Sequence, residues 1–243
     1  MKAIKNYLCF TDLFNMPDNN LSFALTADGS STIYNASVGE HYHSRHGALQ
    51  ESRHVFLGSG LQYYLDKEKA VKAEILEVGF GTGLNFLLTA AYSLQQNVEI
   101  QYTGIEAYPL PAGMIAQTGY DQYVSAETWN AFLEKYPESF KGPEPISAGC
   151  TLEIAECTLM DFRTDRKFDV LYFDAFAAIH QPEMWTDDSL SHICSFLRPG
   201  GVFVTYAITG NLKRSMKALG FAIEKAPGAP GKREMLRAVK LEY

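Results

Sequence analysis

From residue 74 onward, short apolar runs alternate with segments whose apolar residues recur every three or four positions. The runs at 74–79, 99–106, 151–156, 169–174 and 201–207 read as buried strands, and the segments at 84–95, 186–197 and 210–218 read as helices. Strands alternating with helices come back parallel, because each helix is a crossover that returns the chain to the same edge. The expectation is a doubly wound, mostly parallel α/β sheet. Residues 220–225 and 234–240 flank Pro227-Gly228-Ala229-Pro230-Gly231 and read as a closing antiparallel pair.

Two stretches depart from this rhythm. Between the second and third strands lie more than forty residues, with a helical stretch near Thr128–Leu133 and a Pro- and Gly-rich stretch at 137–149. An insertion of this length reads either as a wall of a substrate pocket or as a plain surface helix. Residues 1–70 are polar and rich in Tyr, Ser and Asn. Within them Leu21–Leu25 and Ser31–Tyr34 alternate around the turn Thr26-Ala27-Asp28-Gly29-Ser30, which predicts a β-hairpin followed by a helical segment at 47–68. The chain therefore divides into an N-terminal extension, 1–70, packed on the core, and an α/β domain, 71–243.

Composition adds boundaries. With 243 residues and 47% hydrophobic content, the chain can bury a full core. No apolar run approaches the roughly eighteen residues of a membrane helix, and Asp12 stands close behind a short mixed N-terminal segment, so no secretory pattern is read. The expectation is a soluble, cytoplasmic protein without a membrane partner. Cys9, Cys150, Cys157 and Cys194 form no C-x-x-C pair, so neither a metal site nor a disulfide framework is expected. The net charge of −7 argues against a nucleic-acid partner until it is resolved along the chain. From Arg198 onward, nine basic residues stand against three acids, a balance of +6, which leaves −13 on the first 197 residues. Such a basic end either steers a polyanion to one face or is an ordinary solvated surface.

The sharpest chemical signal is Glu77-Val78-Gly79-Phe80-Gly81-Thr82-Gly83-Leu84-Asn85, a strand running through three glycines into a helix. Glycines permit a tight turn and close backbone approach, and the helix N-terminus presents N–H groups to a ligand. About twenty residues later, Glu106 ends the second strand, placed to accept hydrogen bonds from both hydroxyls of a ribose. A dinucleotide site normally spaces its glycines G-x-G-x-x-G. Here the spacing is G-x-G-x-G, and the acid Glu77 precedes it by two, which suits the α-ammonium and sulfonium of S-adenosyl-L-methionine (SAM). NAD and a plain strand-to-helix joint are the rival readings.

A second centre is Phe168-Asp169-Val170-Leu171-Tyr172-Phe173-Asp174, an apolar strand ending in an acid. In an open α/β sheet the carboxyl ends of the strands line the ligand crevice, so Asp174 is expected beside the glycine turn unless it only caps a turn. The loop through His180 and Gln181 follows over the same crevice.

Taken together, these blocks resemble the methyltransferase domain of the MnmC family. The resemblance is carried by Glu77–Phe86, by Phe173-Asp174-Ala175-Phe176-Ala177 with Pro182-Glu183-Met184-Trp185-Thr186, and by Gly231-Lys232-Arg233-Glu234-Met235-Leu236. The upstream block Glu40-His41-Tyr42-His43-Ser44 with Glu51-Ser52 belongs to it too. The resemblance implies a Rossmann-like, class I SAM-dependent methyltransferase that methylates the aminomethyl group on carbon five of the wobble uridine of tRNA. It further implies SAM as cofactor, held by Glu77, Gly79, Gly81, Gly83, Asn85, Glu106 and Cys157, the last within Glu156-Cys157, where the family usually has Gly-Asp. Asp174 becomes the residue that orients the acceptor amine. Tyr42, Glu51, Phe176, His180, Lys232, Arg233 and Glu234 become the substrate set, with the basic residues on anticodon-loop phosphates and an aromatic ring stacked on the base. The family's fused oxidase domain has no counterpart before Tyr243, so a separate oxidase or a pre-modified tRNA is expected. An enzyme acting on a small amine, by methyl or aminopropyl transfer, and a noncatalytic SAM- and tRNA-binding protein are the alternatives.

Overall fold

The computed structural model describes residues 20–242; Cys9 and Asp12 lie outside the described residues. Its centre is an eight-stranded sheet. The strands are β4 (Lys72–Val78), β5 (Glu99–Glu106), β6 (Glu144–Ser147), β7 (Cys150–Glu156), β8 (Phe168–Phe173), β9 (Leu197–Thr205), β10 (Phe221–Pro227) and β11 (Glu234–Lys240). They lie in the order β10-β11-β9-β8-β4-β5-β7-β6, and the five strands from β9 to β7 run parallel. The two edges are antiparallel, as expected for the hairpin of β10 and β11.

All six residues of β8 are buried, as in a parallel strand covered on both faces; five are apolar or aromatic, and the sixth, Asp169, is paired with Arg198 and accepts the N–H of Glu74. One face packs Phe56, Phe86, Tyr102, Phe132 and Tyr172; the other packs Leu171, Phe173, Phe203 and Phe221. The helices that follow β4 are α3 (Leu84–Gln96), the single turn α4 (Ala112–Ile115), α5 (Ala126–Lys135), α6 (Asp187–Cys194) and α7 (Gly210–Ala218). Ser125, Thr186 and Thr209 cap the last three by accepting the N–H of Thr128, Ser189 and Leu212. The helix expected over 186–197 stops at Cys194 because β9 starts at Leu197, four residues earlier than the apolar run indicated.

The N-terminal hairpin is present as β1 (Leu21–Leu25) and β2 (Ser31–Asn35), extended by the short β3 (Glu40–His41). The segment read as one helix is α1 (Ala48–Glu51), a wider-wound stretch (Ser52–Gln62) and α2 (Tyr63–Glu68). In the wide stretch the N–H of Tyr63 reaches back to the carbonyl of Gly58. A β-carbon on Gly60 would stand 2.8 Å from the Tyr172 ring and 3.0 Å from Val204, so glycine lets this backbone lie directly on β8 and β9. Within the long insertion, β6 falls in the Pro- and Gly-rich stretch that gives no strand pattern. It is an edge strand with an irregular register between Pro145 and Ser147, the place where proline is tolerated.

What positions the site is β4. The chain leaves it toward β5 on one side and returns to β8 on the other, so a crevice opens at the carboxyl end of β4.

Candidate active site

Register decides what meets at that crevice. Val78 pairs with Ile105 of β5 and with Phe173 of β8, so the next residues, Gly79, Glu106 and Asp174, come side by side. Gly79 donates to the carbonyl of Ile105 at 3.0 Å, and Asp174 donates its N–H to Val78 at 2.9 Å. Gly79 has φ +83°, and a β-carbon there would stand 2.7 Å from the carbonyl oxygen of Asp174. Gly81 has φ +54°, and its β-carbon would stand 2.9 Å from the Tyr42 ring. Both positions need glycine for conformation and for space. Gly83 ends the turn at the start of α3.

Glu106 holds the turn closed. One carboxylate oxygen accepts the N–H of Gly81 and the other that of Tyr108, each at 2.9 Å. The N–H of Ala107 bonds the same carboxylate, which still keeps acceptor capacity for a ligand. Burial pushes the Glu106 carboxyl up, and the N–H bonds from Tyr108 and Gly81 oppose it. The cleft above measures about 870 Å³, and its walls include Gly79, Gly81, Glu106, Cys157, Met114 and Leu159. Asp161, beyond Cys157, is exposed and accepts a hydrogen bond from Thr158.

Glu77 and Asn85 do not line the cleft. Glu77 is fully buried behind the turn, accepting from the Asn85 amide and the Tyr102 hydroxyl, both at 2.8 Å. The same amide donates to Asp174 at 2.8 Å. Glu77 therefore anchors Asn85, which anchors Asp174, and direct contact of Glu77 with a cofactor's methionine end is corrected to a supporting one. Burial, and then the charge of Asp174, raises the Glu77 carboxyl well above its ordinary range. The Asn85 carbonyl oxygen is buried without a hydrogen-bond partner.

Asp174 opens the acceptor end of the cleft. Tyr42 and Phe176 line it beside Asp174, their rings in edge contact with centroids 5.2 Å apart. Burial pushes the Asp174 carboxyl well up, and the charges of Glu51 and Glu40 add to that, whereas the Asn85 hydrogen bond and Lys232 pull it down. Glu40 accepts the N–H of Ala177, and Glu51 accepts the N–H of Ser44.

Three of the expected substrate residues, Lys232, Glu234 and His180, do not line the cleft. Lys232 is half-buried, 2.7 Å from Glu51, with its Nζ 3.9 Å from the centre of the Tyr206 ring. It faces inward, so it is not a surface contact for phosphate. Glu234 is in β11, 3.9 Å from Lys225. His180 is exposed and stands against Gly39, while the neighbouring Gln181 lines the cleft. Arg233 is exposed at the hairpin tip. The Trp185 indole donates to the Phe176 carbonyl and packs on Phe173, which makes it part of the loop's support. Part of the basic end is paired within the fold: Arg198, Lys225, Lys232 and Arg237 pair with acids, and Lys240 donates to the Cys194 and Leu197 carbonyls, while Arg214, Lys217 and Arg233 are exposed.

Two residues at this site had no separate signal. His43, on the cleft wall, is buried and lowered to about 4, so its imidazole is neutral at pH 7. Tyr206 follows the end of β9, and its hydroxyl donates to the Ala175 carbonyl at 2.9 Å. The strand-end rule that located Asp174 would have located Tyr206 as well.

Comparison with known proteins decides the class. Residues 124–241 match the family described as S-adenosyl-L-methionine-dependent methyltransferase. Over those residues, just under half of its length, the chain resembles that family. It is 32% identical over 207 residues to the tRNA 5-methylaminomethyl-2-thiouridine biosynthesis bifunctional protein MnmC of Magnetococcus marinus, covering 82% of this chain and 31% of that one. MnmC of Chromohalobacter salexigens is 30% identical, over 86% of this chain and 31% of that protein. The chain thus spans about a third of the length of these curated relatives. The crystal structure of MNMC2 from Aquifex aeolicus superposes with a TM-score of 0.73 at 25% identity, over 94% of this chain and 72% of that one. Magnesium protoporphyrin IX methyltransferase from Synechocystis shares the fold, with a TM-score of 0.50 at 12% identity over 81% and 84% of the two chains. The chain therefore has the class I methyltransferase fold, uses SAM, and resembles the methyltransferase part of MnmC. The residues at the turn fit that cofactor: a backbone cradle at Gly79 and Gly81 that any side chain would fill, and a carboxylate at Glu106 with acceptor capacity to spare. Among the described residues, no helix is long and apolar enough to cross a membrane, and no group of acids, Cys or His could hold a metal ion.

Proposed function

We propose that this chain methylates the aminomethyl group on carbon five of the wobble uridine of tRNA. The observation that carries the reading is Asp174, set on the cleft beside the glycine turn and surrounded by the carboxylates of Glu51 and Glu40 with Lys232 as their cation. An excess of negative charge around a half-buried acid favours a positively charged or hydrogen-donating acceptor, which an alkylamine is. The relatives named for 5-methylaminomethyl-2-thiouridine biosynthesis in tRNA carry such an amine in their product's name.

When bound, SAM supplies a methyl group made electrophilic by a sulfonium. Glu106 is the residue to hold its ribose hydroxyls, and the backbone at Gly79 and Gly81 admits its close approach. An alkylamine is mostly protonated at neutral pH, and its lone pair is free only after that proton leaves. Asp174 accepts a hydrogen bond from the amine and turns the lone pair toward the methyl carbon, so its work is alignment together with proton acceptance. Tyr42 and Phe176 flank the approach, positioned for an unstacked base. The free amine has to be supplied by an oxidase or another tRNA-modifying step that precedes methylation, and work on the anticodon loop implies a cytoplasmic site of action.

The decisive experiment incubates the protein with labelled SAM and tRNA from a strain lacking the modification, followed by nucleoside analysis. Label in 5-methylaminomethyl-uridine is the expected result. Label in small polyamines but not in tRNA would point to the small-amine enzyme. Binding of SAM and tRNA without turnover would leave a noncatalytic protein.

A further inference from the structure

Lys232 is held with unusual care for a residue at a hairpin tip. The turn between β10 and β11 folds back onto residues 46–54: the Pro227 carbonyl lies 2.6 Å from His54 Nε2, and a β-carbon on Gly231 would stand 2.6 Å from the His46 ring. The fold-back delivers the Lys232 ammonium between Glu51, whose side chain is 6% exposed, and the face of the Tyr206 ring. Tyr206 is itself tied to the Ala175 carbonyl, one residue after Asp174. A salt bridge at this depth is a poor source of stability, because desolvation offsets much of the attraction. A role for the charge in the site is the more economical account of the arrangement.

We propose that Lys232 is a positioning residue for the transfer: clamped by Glu51 and Tyr206, it supplies the positive charge that keeps Asp174 ready to accept the hydrogen of the acceptor amine. The groups facing Asp174 come from every surrounding element. Asn85 and Glu77 lie beneath it, Glu51 and Glu40 beside it on the N-terminal segment, Tyr206 after β9, and Lys232 on the hairpin. Of these, Lys232 carries the positive charge and Asn85 the neutral donor. Both draw the Asp174 carboxyl down against burial and against two carboxylates that push it up. Removing the charge lets Asp174 hold its proton to higher pH, and a protonated Asp174 cannot take one from an amine.

The inference rests on the amine-acceptor reading, so its test has one arm that needs no acceptor. In the SAM-bound protein, the Asp174 carboxyl is titrated by difference infrared spectroscopy, with Asp174→Asn as the reference. Lys232→Met is expected to move that titration up by about one pH unit or more, with Lys232→Arg close to wild type. In the second arm, single-turnover methyl transfer by Lys232→Met falls roughly tenfold at neutral pH, recovers at alkaline pH and leaves SAM affinity within about twofold. An unmoved carboxyl titration overturns the proposal. So does a rate lowered equally at every pH, which would make Lys232 only a clip for the hairpin. A loss of about one from the salt slope of tRNA binding in Lys232→Met would restore the phosphate contact and overturn it too. A shifted carboxyl with no methylation of the amine in the wild-type protein would uphold the charge role while sinking the substrate assignment.

Discussion

At the cofactor end of the cleft, the hydrogen bonds that shape the turn are made within residues 79–108, where Glu106 binds the N–H groups of Gly81 and Tyr108. At the acceptor end, Asp174, Glu40, Glu51, Lys232 and Tyr206 arrive from five separate segments and meet only after the sheet, the N-terminal helices and the β10–β11 hairpin have packed. The first end is a local device whose parts fail together. The second is an electrostatic assembly, in which one member can be altered while the cofactor still binds. Substitutions should therefore separate the two ends by readout: affinity and stability on one side, rate and its pH dependence on the other.

The largest separation is expected from Asp174→Asn. The amide is nearly isosteric and can keep its place beside Asn85, so SAM affinity should hold, whereas single-turnover methyl transfer should drop by roughly 10²-fold or more. Raising the pH should recover part of the rate, since more of the amine is then neutral. Wild-type rates across the pH range would reduce Asp174 to a structural strand-end acid and erase the contrast.

Gly79→Ala tests the opposite end. A β-carbon at φ +83°, 2.7 Å from a backbone carbonyl oxygen, forces the turn to move, with strain of about 1–3 kcal/mol. Thermal melting and SAM titration should both worsen, because the turn serves folding and binding at once. A loss of rate with affinity and stability intact would contradict the local character of this end.

Glu106→Ala should weaken SAM binding by about 1–3 kcal/mol, through loss of the ribose acceptors and of the two N–H bonds that set the turn. Burial raises the folded-state pKa of Glu106 above its ordinary value of 4.5, so the carboxylate that binds hydroxyls is lost as pH falls through that raised value. Titrations of SAM affinity against pH should show this acid-side fall in the wild type and not in Glu106→Gln.

The smallest effect is expected from Arg233→Ala. Unlike its neighbour Lys232, Arg233 is exposed, so it is the member of this pair available to a phosphate. Its removal should weaken tRNA binding a few-fold, lower the salt slope by about one and leave SAM affinity alone. A change in SAM affinity would tie the hairpin tip to the cofactor end and blur the distinction between the two.

The sequence by itself determined the strand-and-helix alternation, the glycine turn, Glu106 and the strand-end position of Asp174. Each depends on spacing within one segment: a fully apolar run is stable only as a covered strand, and glycine at positive φ is needed wherever the chain turns that tightly. Tertiary structure alone decided the rest. Glu77 looked like a ligand-facing acid, yet side-chain alternation in β4 and the packing of α3 put it beneath the turn, where Asn85 and Tyr102 satisfy it. Lys232 and its neighbours read as a basic end, but several of those charges have partners far away in sequence, such as Glu51 for Lys232 and Glu74 for Arg198. Charge balance along a chain says nothing about which charges fold inward. That is fixed by the hairpin's return onto residues 46–54 and by the backbone approach that Gly60 and Gly231 allow, and these appear only once distant segments share one core.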